Sequence, residues 1–131
     1  MPALLDTDVV IHLRDGDAWI EEHVGGLTPP LFISAISRVE LENGAARDPD
    51  PSRRALLNHV LAYVTTLDFR TEEIETYRKI IEVAGYSRRK TADRMTAATA
   101  IAHALPLVTL NGRDFRDVRG LELVEWARPE G

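Results

Sequence analysis

Ala3-Leu4-Leu5-Asp6-Thr7-Asp8-Val9-Val10-Ile11 is the stretch on which the reading of this chain turns. Ala3-Leu4-Leu5 reads as a short buried strand that enters the core at once. Three oxygen-bearing residues follow, and Val9-Val10-Ile11 with Leu13 continue as a short helix. A strand that runs into a helix through two acids is the opening of an α/β unit. It places Asp6 at the carboxyl end of the first strand.

The same alternation recurs along the chain. Residues 18–24 read as a helix ended by Gly25-Gly26, and Pro29-Pro30 introduces a strand at 31–33. Residues 37–46 read as a helix that Asp48-Pro49-Asp50-Pro51 breaks. A helix over 53–64 carries Leu56, Leu57, Val60, Leu61 and Val64 at helical spacing. A short strand at 65–67, a helix over 71–84 closed by Gly85, and an alanine-rich helix over 91–104 follow. Pro106 precedes a strand at 107–109, and 122–125 reads as an edge strand. Strands alternating with helices imply an α/β fold with a mostly parallel central sheet flanked by helices. No repeat or linker divides the 131 residues, so one domain over 1–131 is expected.

In such sheets ligands sit outside the carboxyl ends of the strands. Asp6 ends the first strand, Glu40 lies in the first turn of the helix after the second, and Asp114 follows the strand at Thr109. Asp93 opens the helix that feeds that strand, and a helix feeding a parallel strand returns its N-terminus to the same edge. Topology alone therefore brings four acids, distant in sequence, to one rim. Each has a local alternative. Asp6 or Asp8 can cap the helix that follows. Ser37-Arg38-Val39-Glu40 fits a capping box, with Glu40 reaching back to Ser37. Asp93 suits the positive end of a helix dipole, and Asp114 sits in a polar turn, Asn111-Gly112-Arg113-Asp114. The shared rim raises all four together. Such a set suits Mg²⁺ or Mn²⁺, which favour hard oxygen ligands and activate water beside a phosphodiester.

There are no cysteines, hence no disulfide and no thiolate metal site. His12, His23, His59 and His103 show no zinc-type clustering. No apolar run is long enough to span a bilayer, and Met1 to Asp6 lacks the pattern of a secretion signal, so a cytoplasmic setting is expected. The net charge is −5. At face value that opposes a nucleic-acid partner, but carboxylates that hold cations are neutralised when they do so. All of the 16 basic residues except Lys79 and Lys90 are arginine, the side chain that grips phosphate through paired bonds. Arg88-Arg89-Lys90 precede Asp93, and Arg113, Arg116 and Arg119 surround Asp114. A solvated basic surface is the plain alternative.

These residues carry a family resemblance. Leu4-Leu5-Asp6-Thr7-Asp8-Val9-Val10-Ile11 resembles the opening of PIN-domain ribonucleases. Ile36-Ser37 with Glu40-Leu41, then Asp93-Arg94-Met95-Thr96-Ala97-Ala98, then Leu107-Val108-Thr109-Leu110-Asn111 with Asp114-Phe115, are similar to that family's later motifs in order. The set spans essentially the whole chain and looks most like VapC-type toxins of bacterial toxin–antitoxin pairs.

The resemblance implies a PIN-like fold with an acidic pocket of Asp6, Glu40, Asp93 and Asp114 for Mg²⁺, with Mn²⁺ able to substitute. Thr7, Thr109 and Asn111 would support that pocket. It further implies endonucleolytic RNA cleavage by a metal-activated water, a homodimer, and inhibition by a cognate VapB-type antitoxin. Arg88, Arg89, Lys90 and Arg94 are candidate RNA contacts, with a salt bridge the plainer role for Arg94. Two positions depart from the pattern. Asp8 stands where the family often has asparagine, and Thr96 where it is usually apolar.

Two rivals remain open at this point. Asp6-Thr7-Asp8-Val9-Val10 also fits the opening of haloacid-dehalogenase phosphatases, although no lysine follows Thr109 as that family requires. A PIN-like domain used only for binding is the other.

Overall fold

The computed structural model describes residues 1–129. Among the described residues, five strands form one sheet: β1 (Ala3–Leu5), β2 (Leu31–Ser34), β3 (Val64–Leu67), β4 (Leu107–Thr109) and β5 (Leu123–Glu125). Their order is β3-β2-β1-β4-β5 and every pairing is parallel. Six helices accompany them: α1 (Thr7–Arg14), α2 (Ala18–Gly25), α3 (Ala35–Arg47), α4 (Pro51–Leu61), α5 (Thr71–Ala84) and α6 (Thr91–Ala102). None is long and apolar enough to cross a membrane.

Strand β1 sits at the centre, and all three of its side chains are fully buried. Ala3 and Leu5 face a core with Val9 and Val10 of α1, Ile20 of α2, Leu41 of α3, and Leu57 and Val60 of α4. Leu4 faces the opposite core, with Ile80 of α5, Ala97, Ala98 and Ala100 of α6, Leu107 and Phe115. The alternation is the strand's own period of two. Its result is a three-layer domain in which β1 belongs to both cores.

Local chemistry sets the helix ends. Asp17 accepts hydrogen bonds from Trp19 N and Ile20 N at the start of α2. Asp50 accepts from Ser52 N, and Pro51 occupies the first turn of α4, where its missing N–H removes no helical bond. Gly85, at φ +84°, turns the chain out of α5 in a conformation that side chains disfavour.

Several boundaries differ from the sequence expectation. Helix α3 begins at Ala35 because Ser34, at the end of β2, is its cap and accepts from Ser37 N. Ser37 is therefore inside the helix, the Ser37–Glu40 capping box does not form, and Glu40 lies in the second turn. The helix expected over 53–64 starts at Pro51 and stops at Leu61, because Val64 is taken into β3 beside Leu31. Helix α6 ends at Ala102, since Ala104 has φ +54° and no longer continues it.

The double-faced burial of β1 makes a measurable demand. Leu4→Ala should lower unfolding stability by about 2–5 kcal/mol in denaturant titration, the range for a fully enclosed leucine.

Candidate active site

The chain leaves β1 toward β2 on one side of the sheet, and β4 lies on the other side of β1. Strand order reverses between β1 and β4, which opens a crevice at their carboxyl ends. Asp6 follows β1 directly, and its N–H donates to Val108 O across the crevice at 2.9 Å. Asp6 is the cap of α1 as well: Oδ1 accepts from Thr7 N at 2.9 Å. Its Oδ2 accepts from Thr109 Oγ1 at 2.9 Å. The capping and site-forming alternatives for Asp6 are thus compatible, because each uses a different oxygen.

Asp8 is not a cap. It sits inside the first turn of α1, and its Oδ2 accepts from Leu110 N at 3.2 Å and lies 3.3 Å from Thr109 Oγ1. Its Oδ1 is buried and, among the described residues, has no hydrogen-bond partner. Thr109 thus ties two carboxylates together, while Asn111 N donates to its Oγ1 at 3.0 Å.

Glu40 is exposed and stands within reach of Thr7, whose Oγ1 donates to its Oε1 at 2.7 Å. Thr7 Oγ1 also lies 2.9 Å from Ser37 Oγ. Asp114 occurs in a 3-10 turn, Gly112–Phe115, and its Oδ2 accepts from Asn111 Nδ2 at 2.7 Å. Glu125 holds that turn from β5 by accepting from Gly112 N at 2.8 Å. Asp93 lies half-buried in the first turn of α6.

A chain of buried hydroxyls that the sequence reading did not assign connects these segments. Ser37 Oγ is 3.2 Å from Ser34 Oγ, which is 3.0 Å from Thr96 Oγ1. It runs from the helix of Glu40 to the helix of Asp93. Thr96, the position expected to be apolar, is the signal that could have shown it. A hydroxyl on the buried face of an alanine-rich helix needs a partner.

The acids act on one another electrostatically. Burial, then the neighbouring Asp8 carboxylate, push Asp6 up to about 7 despite the bonds from Thr109 and Thr7. Asp93 rises to about 6 through burial, then through Asp114, Glu40 and Asp8, with Lys90 opposing. Burial also raises Asp8. Like charges held close in a poorly solvated crevice disfavour simultaneous ionisation.

Among the described residues, no three His, Asp or Glu side chains converge into a ready-made cation cage. The donor set is nevertheless all hard oxygen, with one orphaned carboxylate oxygen on Asp8 and with Asp6 and Asp93 disfavoured as anions by burial and by neighbouring carboxylates. That fits a hydrated divalent ion of the Mg²⁺ kind, which takes one or two carboxylates and keeps its other waters.

The basic candidates divide. Arg88 and Arg89 are exposed. Lys90 Nζ donates to Asp117 Oδ2 at 3.1 Å. Arg94 is a correction to the list of RNA contacts. It is only 3% exposed, with Nη2 on Asp117 at 3.0 Å and Nη1 on Gly85 O. The salt bridge is its role, because its side chain points into the packed face of α6. Arg116 likewise pairs with Glu125.

The raised carboxyls give a signed pH dependence. A carboxyl whose folded pKa exceeds its unfolded value contributes stability below about 3.8, and that contribution fades as pH rises through about 7 for Asp6. In metal-free protein, Asp6→Asn should therefore gain stability relative to the parent as pH rises from 4 to 8, by a few kcal/mol at most. Melting curves of both proteins across that range check it, and parallel pH profiles contradict it.

Comparison with known proteins agrees with this geometry. Residues 3–121 match the PIN domain family. Ribonuclease VapC1 of Rickettsia felis is 35% identical, over 95% of this chain and 96% of that protein. The tRNA(fMet)-specific endonuclease VapC of Salmonella typhimurium is 28% identical, over 94% and 96% respectively. Among solved structures, a chain of the DNA-bound VapBC complex of Salmonella typhimurium superimposes with a TM-score of 0.82 at 27% identity, covering 97% of this chain and 100% of that one. A chain of VapBC2 from Rickettsia felis, bound to a promoter DNA fragment, gives a TM-score of 0.84 over 96% of this chain and 99% of that one. At 23% identity it speaks to the fold alone. With the parallel sheet, the crevice at β1 and β4, and acids contributed by four segments, these matches establish that the chain belongs to the PIN-domain family, among the VapC ribonucleases.

Proposed function

We propose that this protein is a divalent-metal-dependent endoribonuclease, the toxin of a toxin–antitoxin pair, which hydrolyses RNA phosphodiester bonds until a cognate VapB-type antitoxin binds it. The observation that carries the reading is geometric: Asp6, Asp8, Glu40, Asp93 and Asp114 come from four separate segments to one crevice, where uncharged Thr7, Thr109 and Asn111 orient four of them. Burial and then neighbouring carboxylates disfavour ionisation of Asp6 and Asp93, a penalty that a bound cation would relieve. The names of the VapC relatives support the substrate class and the VapBC complexes support the partner. The reading carries a cytoplasmic setting, where RNA and an antitoxin chain are both present, and a homodimer as the active form.

In this mechanism Asp6 and Asp93, with Glu40 and Asp114, would hold Mg²⁺ or Mn²⁺. The ion, when bound, supplies Lewis acidity at the scissile phosphate and acidity to a coordinated water. The remaining work belongs to the side chains. Thr109 orients Asp6 by donating to Oδ2, which leaves the Oδ1 edge to the α1 cap. Thr7 fixes exposed Glu40, and Asn111 fixes half-buried Asp114, so neither acid has to be ordered when substrate arrives. Arg88 and Arg89 offer unburied guanidinium groups to RNA phosphates. Arg94, buried against Gly85 and Asp117, serves the framework instead, while half-buried Lys90 shares Asp117 with it at the edge of the basic run.

The test uses purified, partner-free protein with mixed cellular RNA and Mn²⁺ or Mg²⁺. Discrete cleavage is expected, lost with EDTA and lost in Asp6→Asn. Absence of both cleavage and Mn²⁺ uptake by calorimetry rejects the enzyme. Arginine contacts are tested separately. Arg88→Ala and Arg89→Ala should each reduce the slope of log affinity against log salt by about 0.7 if a single-strand phosphate contact is lost. An unchanged slope removes them from the interface.

A further inference from the structure

Between α5 and α6 runs a loop, 85–90, that is more tightly held than its sequence, Gly85-Tyr86-Ser87-Arg88-Arg89-Lys90, suggests. Gly85 O accepts from Arg94 Nη1, and Gly85 N donates to Ile81 O at 2.9 Å. Ser87 O accepts from Thr91 Oγ1 at 2.9 Å, and Ser87 Oγ accepts from Lys90 N at 3.3 Å. Lys90 is anchored to Asp117, in the segment that follows Asp114. Every internal bond of the loop uses backbone, Ser87 or Lys90. Three side chains are left outside this network: Tyr86, which is 74% exposed, and Arg88 and Arg89, both exposed. Among the described residues, neither guanidinium has an acidic partner.

A large aromatic ring held in water by a rigid loop gains nothing for folding. Presented beside two free guanidinium groups, it matches what a single strand of nucleic acid offers, namely a base face next to phosphates. The loop ends at Lys90, three residues before Asp93, and so leads directly into the first turn of α6, which carries that acid.

We propose that Tyr86 is a substrate-binding residue that stacks on a base of single-stranded RNA next to the cleaved phosphate, with Arg88 and Arg89 gripping the adjoining backbone. This rests on the ribonuclease reading above. The Arg94–Gly85 bond is the positioning contact that keeps the platform in place. Stacking is tolerant of base identity, so Tyr86 contributes affinity and register, and edge contacts elsewhere select sequence.

The test measures binding of a short, labelled, single-stranded RNA of random sequence to the cleavage-deficient Asp6→Asn protein, with and without Tyr86→Ala or Tyr86→Phe. Tyr86→Ala should weaken binding roughly tenfold, the effect of losing one stacked base, and leave the salt slope unaltered. Tyr86→Phe should retain the parent affinity, because the ring is kept. In the otherwise unaltered enzyme, Tyr86→Ala should raise KM with little change in kcat and no change in Mn²⁺ affinity. Equal affinity of Tyr86→Ala and parent overturns the proposal. So does a change in oligomeric mass without a change in RNA binding, which would make the loop a contact between copies. If the unaltered enzyme neither binds nor cleaves RNA, the ribonuclease reading itself has failed, and the two failures are distinguishable.

Discussion

The pairing of β1 with β4 is the constraint on which the rest of the molecule depends. Leu4 and Leu5 stand beside Leu107 and Val108, all fully buried. The next N–H along β1, that of Asp6, closes the ladder on Val108 O. Here β1 ends while β4 runs on to Thr109, still paired with Glu125 of β5, and the side chains that meet at this step are Asp6 and Thr109. Their hydrogen bond is therefore a direct product of strand register. A slip of one residue in either strand would turn that strand's side chain at this step to the other face of the sheet and break the bond. The core thus enforces the site: the hydrophobic burial that fixes β1 is what holds a carboxylate in a place where water solvates it poorly.

That placement works against folding, and the surrounding polar groups show how the strain is contained. Thr109 serves two carboxylates, Thr7 serves Glu40, and Asn111 serves Asp114. None of these donors is charged, so they orient the acids without neutralising them. The cationic side chains nearby are spent elsewhere, with Lys90 and Arg94 on Asp117 and Arg116 on Glu125. The net result is a crevice in which burial and like charge disfavour ionisation of Asp6 and Asp93 and the protein's own cations offset little of it.

Much of this was legible in the sequence because it follows from topology. A strand-end rule and the antiparallel return of a helix brought Asp6, Glu40, Asp93 and Asp114 to one edge with no side-chain detail. What was not legible depended on burial at single positions. Ser34 and Ser37 are three residues apart, so either could begin α3, and the glutamate at 40 favoured the wrong one. The choice was settled by β2 ending in a buried serine whose hydroxyl reached Ser37 N. Arg94 extended a basic run in the sequence, yet it lies three and four residues before Ala97 and Ala98, on the same buried face of α6. Helical spacing therefore contained the answer, but the charge concealed it. The Ser34–Thr96 contact spans 62 residues and could not be read from local pattern at all.

Four separate segments, from residue 6 to residue 114, supply the acids, and the β4 residues that orient Asp6 come after nearly all of the helices. During synthesis, then, no early fragment of the chain can assemble the crevice. Asp6, Glu40 and Asp93 emerge in turn before Thr109 is present to hold the first of them. The chemistry of this site arrives all at once, late, and only with the completed sheet. A cell making the protein has nearly the whole interval of translation before the crevice exists, and in that interval anything that recognises the unfinished fold acts on a harmless chain.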